Sequence, residues 1–157
     1  MRALLIALQF LTILPVRLQG EFSAQDMGRS LLFYPLVGLL IGIVLSLLGW
    51  SLTSQLPMVS AILVLAVWVI LTGALHLDGL ADSADAWLGG IGDKAKTLSI
   101  MKDPAAGPIA VVMIVLVLLI KFVMLTVLLS QQNWWALIWS VILARTALPL
   151  LFFQHQN

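Results

Sequence analysis

Residues 31–53, 58–77, 108–129 and 134–153 form four long apolar runs, and only Lys121 and Arg145 carry charge inside them. A helix needs about 20 apolar residues to cross about 30 Å of hydrocarbon. An open strand there would leave backbone N–H and C=O groups without partners, so spanning segments must be helical. The expected fold class is all-α: a polytopic transmembrane helix bundle of about four spanning helices plus an N-terminal interfacial helix, making one membrane domain over residues 1–157. Composition agrees: 62% of residues are hydrophobic and 10% charged, against about 45–50% and about 25% in soluble domains. A soluble globular enzyme and a disordered tail are therefore excluded. A net charge of +1 gives no basic footprint for nucleic acid. The absence of cysteine rules out disulfides, thiolate metal sites and a cysteine nucleophile.

The few charges fall in two patches. Arg2, Arg17, Glu21, Asp26 and Arg29 lie in the first, and Asp78, Asp82, Asp85, Asp93, Lys94, Lys96, Lys102 and Asp103 in the second. With four spans, the N-terminal segment and the 78–107 loop share one side of the membrane. The turns at 54–57 and 130–133 carry no Lys or Arg, so the positive-inside rule sets both patches toward the cytoplasm of an inner-membrane, multi-pass protein. Both turns are short enough to make helical hairpins of spans one–two and three–four. The first 16 residues are too short for a comfortable span, and Pro15 ends their apolar run. They read as an interfacial or partly inserted helix, or as an uncleaved signal-like anchor. Trp50, Trp134 and Trp135 near span ends suit an aromatic belt. Gly38-x-x-x-Gly42 would let another helix approach the first span closely, and an ordinary membrane glycine pair reads the same way.

The densest polar text is HLDGLADSADAW, His76 to Trp87, read as an extension of the second span beyond the membrane surface. On a helix, Asp78, Asp82 and Asp85 at i, i+4 and i+7 fall within an arc of roughly 60°. Three carboxylates on one face repel unless a cation neutralises them. A hard divalent ion with oxygen ligands suits them, and Mg²⁺ is commonly held by one or two carboxylates plus substrate phosphates. The plainer reading is a solvated acidic turn, but solvated faces normally mix signs, and no Lys or Arg stands between His76 and Asp93. His76 could bind phosphate, carry a proton, or be an interfacial side chain. Gly89, Gly90 and Gly92 would give a mobile connection or a simple turn.

In the segment MKDPAAGPIAV, Asp103 before Pro104 reads as a helix N-cap followed by proline at the first helical position. Gly107-Pro108 marks membrane entry, and Lys102 could meet a phosphate or serve as a positive-inside residue. Lys121 and Arg145 cost about 2.5–3.5 kcal/mol each inside a membrane, and no acid occurs in any span to pair with them. Backbone carbonyls, the aspartate cluster or an anionic substrate group could partner them. Glu21 and Asp26 could add metal ligands. The residues together suit phosphoryl chemistry on a membrane-partitioning substrate.

The segments FLTILPV (10–16), FYPLVGLLIG (33–42), TGALHLDGLADSADAW (72–87) and MKDPAAGPIAVV (101–112), in that order, resemble the cobalamin synthase family, adenosylcobinamide-GDP ribazoletransferases. The resemblance runs from about Phe10 to Arg145. It implies an Mg²⁺-dependent membrane transferase with adenosylcobinamide-GDP and α-ribazole, or its 5′-phosphate, as substrates and GMP as the leaving group. By the resemblance, Asp78, Asp82 and Asp85 hold the metal, with His76 beside them. Lys102 and Asp103 then lie near the nucleotide, and Arg145 and Lys121 contact substrate. Pro104-Ala105 stands where many relatives have Ser-Arg, and Ala86 where glycine is frequent. Family members continue through further spans, so the expectation is a C-terminally shortened form.

Three alternatives stand beside this. A CDP-alcohol-type phosphotransferase would need Asp-Gly-x-x-Ala-Arg and two further aspartates at a spacing this chain does not keep. A small membrane carrier around Lys121 and Arg145 would place polar residues in a pore, yet here they crowd a loop. An inactive fragment of the synthase is the third.

Overall fold

In the computed structural model of the chain, the described residues are 2–16, 23–101 and 105–154. They form helices α1 (Arg2–Leu11), α2 (Ala24–Leu31), α3 (Tyr34–Ser51), α4 (Pro57–Leu71), α5 (Leu75–Gly89), α6 (Lys94–Ile100), α7 (Pro108–Ser130) and α8 (Trp134–Gln154). No strand occurs among the described residues, and the molecule is an all-helical membrane bundle. By length and composition α3 and α7 can each cross a membrane alone. α4 and α5 meet that test only as a pair joined across a break, while α1 and the Trp134–Leu150 part of α8 are shorter apolar helices. Large side chains on the outside, such as Leu47, Ile62 and Ile120, each more than half exposed, are those a hydrocarbon solvent would cover.

The chain divides into two compact units: residues 1–73 with 124–157, and residues 74–123. In the first, α8 packs along α3 as the most extensive helix pairing of the molecule. This pairing joins residues far apart in the chain, 34–51 and 134–154. The glycines of α3 explain the choice. A Cβ on Gly42 would lie 3.0 Å from the Ile138 Cα, and one on Gly38 would lie 3.1 Å from the Ile142 Cα. Without side chains at these positions the two backbones touch, which is how small residues drive helix association in lipid. Further along, Ser46 Oγ donates to the Trp134 carbonyl at 3.4 Å. The core of this unit is Val37, Ile41, Leu45, Leu137 and Val141, with Ile6 of α1 and Val64 of α4.

The second unit holds α5, α6 and most of α7. The second span expected at 58–77 is not continuous: α4 ends at Leu71 and α5 begins at Leu75. Gly73 (φ 60°) and Ala74 (φ 55°) are left-handed, which no right-handed helix can pass through. α5 is therefore a separate helix, and with α4 it makes either one broken span or a re-entrant pair. The expected 78–107 loop is largely helical too. At Gly90 the chain turns so tightly that a Cβ would lie 2.1 Å from Thr97 Oγ1, and Thr97 Oγ1 donates to the Gly90 carbonyl at 3.0 Å. The glycines thus serve a packed turn that folds α6 back on α5. Asp93 caps α6, accepting from Ala95 N at 2.9 Å and Lys96 N at 3.1 Å.

Candidate active site on helix α5

α5 presents two parallel rows of side chains. Leu77, Ala81 and Ala84 are buried, and the next positions, Asp78, Asp82 and Asp85, repeat the same i, i+4, i+7 spacing one residue on. A rotation of 100° per residue puts the acidic row beside the buried row. Burial grades along it: Asp78 is exposed, and Asp82 and Asp85 are half-buried. The three aspartates share one helix face, as expected from their spacing.

Their surroundings differ. The Asp85 carboxylate accepts from Gly107 N at 2.5 Å and Ala110 N at 2.9 Å. Those amides stand just before α7 and in its first turn, where opening N–H groups lack intrahelical partners. Gly107 precedes Pro108 with no side chain of its own to cap the helix, so Asp85 supplies the cap from 22 residues away. The fit is tight: a Cβ on Gly107 would stand 2.8 Å from both Asp85 oxygens. Asp78 and Asp82 make no hydrogen bond or ion pair to any described residue. Among the described residues no three His, Asp or Glu side chains gather closely enough to hold a metal by themselves. Two carboxylates one helical turn apart still match the way Mg²⁺ is usually held, with substrate oxygens completing its shell.

At the other end of α5, His76 meets Lys121 of α7, Nζ to Nε2, at 3.1 Å. An ammonium has no lone pair, so Lys121 donates, and the ring proton must then sit on Nδ1. Neither the pairing nor the tautomer was legible in the sequence, where the two residues lie 45 positions apart. The two ties run α5 and α7 antiparallel. The separation is about 13 Å from 76 to 85 and about 16 Å from 110 to 121, so the fastenings match in spacing and bracket Asp78 and Asp82. Lys102 and Asp103, with Glu21 of the first patch, lie outside the described residues. Arg145 and Asp26 belong to the other unit.

Residues 3–157 match the family model described as cobalamin-5-phosphate synthase. The chain belongs to the cobalamin-5-phosphate synthase family. Curated relatives named adenosylcobinamide-GDP ribazoletransferase include one from Pseudomonas fluorescens, 59% identical over 97% of this chain and 63% of the relative. Proteins of the same name from Pseudomonas aeruginosa and Stutzerimonas stutzeri are each 57% identical over 97% of this chain and 62% of their own length. The chain thus spans somewhat less than two thirds of the relatives it matches. No solved structure matches it. The matched region contains the whole of α5 and the residues of its two fastenings to α7.

Proposed function

We propose that α5 carries the phosphoryl-transfer site of an adenosylcobinamide-GDP ribazoletransferase. A hydroxyl of α-ribazole, or of its 5′-phosphate, attacks the phosphorus that bears the cobinamide. The bond from that phosphorus to the oxygen it shares with GMP breaks, GMP leaves with that oxygen, and the hydroxyl proton is released. The product is adenosylcobalamin or its 5′-phosphate. The observation that carries this reading is the pair Asp78 and Asp82, unpartnered among the described residues on a helix fastened at both ends.

Asp78 and Asp82 are the residues that would hold Mg²⁺. The cation supplies charge neutralisation on the diphosphate, which eases both attack and departure of GMP. The chain's own part is positional: Asp85 and the His76–Lys121 pair fix α5, and rigid placement of reacting groups is worth several kcal/mol of barrier. His76, oriented by Lys121, is the residue that would meet a phosphate oxygen or carry a proton. Lys102 and Asp103 would lie near the leaving nucleotide. The charged segments face the cytoplasm of the inner membrane, where nucleotide substrates are found.

The test is GMP release by the purified chain in nanodiscs given adenosylcobinamide-GDP, α-ribazole and Mg²⁺, beside a full-length relative. Mn²⁺ binding followed by electron paramagnetic resonance supplies a readout independent of turnover. Asp78→Asn and Asp82→Asn should each weaken Mn²⁺ binding at least about tenfold, as loss of a charged ligand implies. Unchanged Mn²⁺ affinity and unchanged GMP release in both variants would overturn the proposal.

A further inference from the structure

We propose that Arg145 and Tyr34, on facing helices of the first unit, form a binding site for a phosphoryl group. Arg145 lies within an apolar helix, half-buried, and its Nε is buried with no hydrogen-bond partner. The guanidinium makes no hydrogen bond or ion pair to a described residue. The single described carboxylate of this unit is Asp26 on α2, and it does not pair with Arg145. Backbone carbonyls of this unit, another partner open from the sequence, are thereby set aside for the described residues.

Packing determines where this cation points. A Cβ on Gly38 would lie 3.2 Å from the Arg145 Cβ, so the arginine stem rests on bare α3 backbone. Tyr34, the chain's one tyrosine, is a single helical turn before Gly38 on the same face of α3. Its hydroxyl likewise makes no hydrogen bond to a described residue. Two donors, one of them cationic, thus lie about one helical turn apart along the facing surfaces of α3 and α8, with no acceptor assigned to either. Tyr34 is also the first residue of α3, so its phenol stands at the end of that helix.

The complementary ligand is an oxyanion with several acceptor oxygens. A tetrahedral phosphate can take the planar guanidinium fork with two oxygens and the phenol with a third. This deepens the transferase reading, since both proposed substrates can carry phosphate. A phospholipid headgroup offers the same chemistry at the same depth.

The test separates these sources without measuring turnover, so failure of the transferase reading leaves its outcome intact. In one arm, the chain in dodecyl maltoside is dialysed against labelled inorganic phosphate and α-ribazole 5′-phosphate, with unphosphorylated α-ribazole as the control. In the other, native mass spectrometry follows retention of phosphatidylglycerol and phosphatidylethanolamine. Arg145→Gln should weaken phosphate binding about 10- to 100-fold, and Tyr34→Phe about 3- to 10-fold. Arg145→Lys should fall between wild type and Arg145→Gln, because an ammonium lacks the fork. Losses in the dialysis arm identify a soluble phosphate as the ligand, and losses in the lipid arm identify a headgroup. Should Arg145→Gln not fold, Arg145→Lys and Tyr34→Phe carry the test. Wild-type behaviour of the folded variants in both arms overturns the proposal.

Discussion

Asp85 separates two roles that a carboxylate on α5 can have. As the cap of α7 it answers two backbone amides. Asp85→Ala leaves those donors unsatisfied, so a stability loss of about 1–3 kcal/mol is expected, read as a lower thermal midpoint in detergent. Mn²⁺ affinity of the folded variant should stay within about twofold of wild type, in contrast to Asp78→Asn and Asp82→Asn. Lys121 gives a second prediction at this scale. Lys121→Met removes the donor to His76 Nε2 and with it one of the contacts that orient the imidazole. Turnover of a full-length relative carrying the equivalent change should fall about tenfold or more, a loss of about 1.4 kcal/mol in the barrier, while Mn²⁺ affinity persists. Equal loss of both would place Lys121 in holding the helix and not in orienting the ring.

At the scale of elements, glycine decides which helices touch. Gly42 of α3 faces the backbone of Ile138, and backbone cannot move aside as a flexible side chain can. Gly42→Val should force α3 and α8 apart, at a cost of about 1–3 kcal/mol, measurable as a lower midpoint of thermal unfolding in detergent. Gly107→Ala acts on a different joint. Its Cβ would crowd the Asp85 oxygens, so it should reproduce much of the Asp85→Ala phenotype. The double variant should be no worse than the more severe single one, because both disrupt one cap. The GxxxG pattern in the sequence left room for a helix to approach α3, beside the plainer reading of an ordinary glycine pair, and it could not say which helix. Proximity in sequence favoured α7 as the neighbour of α8. In lipid the choice falls to surface fit, since apolar side chains gain little from leaving hydrocarbon.

For the whole molecule, orientation is the property most open to direct measurement. The chain has no cysteine, so single introduced cysteines report sidedness without background. Lys96→Cys on α6 should react with a membrane-impermeant maleimide from the cytoplasmic side in inverted vesicles, and Gln131→Cys only in right-side-out spheroplasts. The opposite pattern would reverse the assignment made from Lys and Arg positions. The surface agrees with immersion in a bilayer, for much of α7 is unburied although the helix is long and apolar enough to cross a membrane.

The sequence by itself determined the membrane class, the helical state and the acidic helix face. These follow from composition and from periodicity within one segment, and no distant contact can alter them. It also bounded α7 closely, because Gly107-Pro108 marks its start. Tertiary structure alone decided that α5 breaks from α4 at two left-handed residues and that Asp85 caps a helix 22 residues away. It also decided that His76 and Lys121 meet, and that Arg145 rests on Gly38. Each of these is a pairing across the chain, set by which backbones come close enough to touch. A one-dimensional pattern shows which groups need partners; only packing chooses the partners.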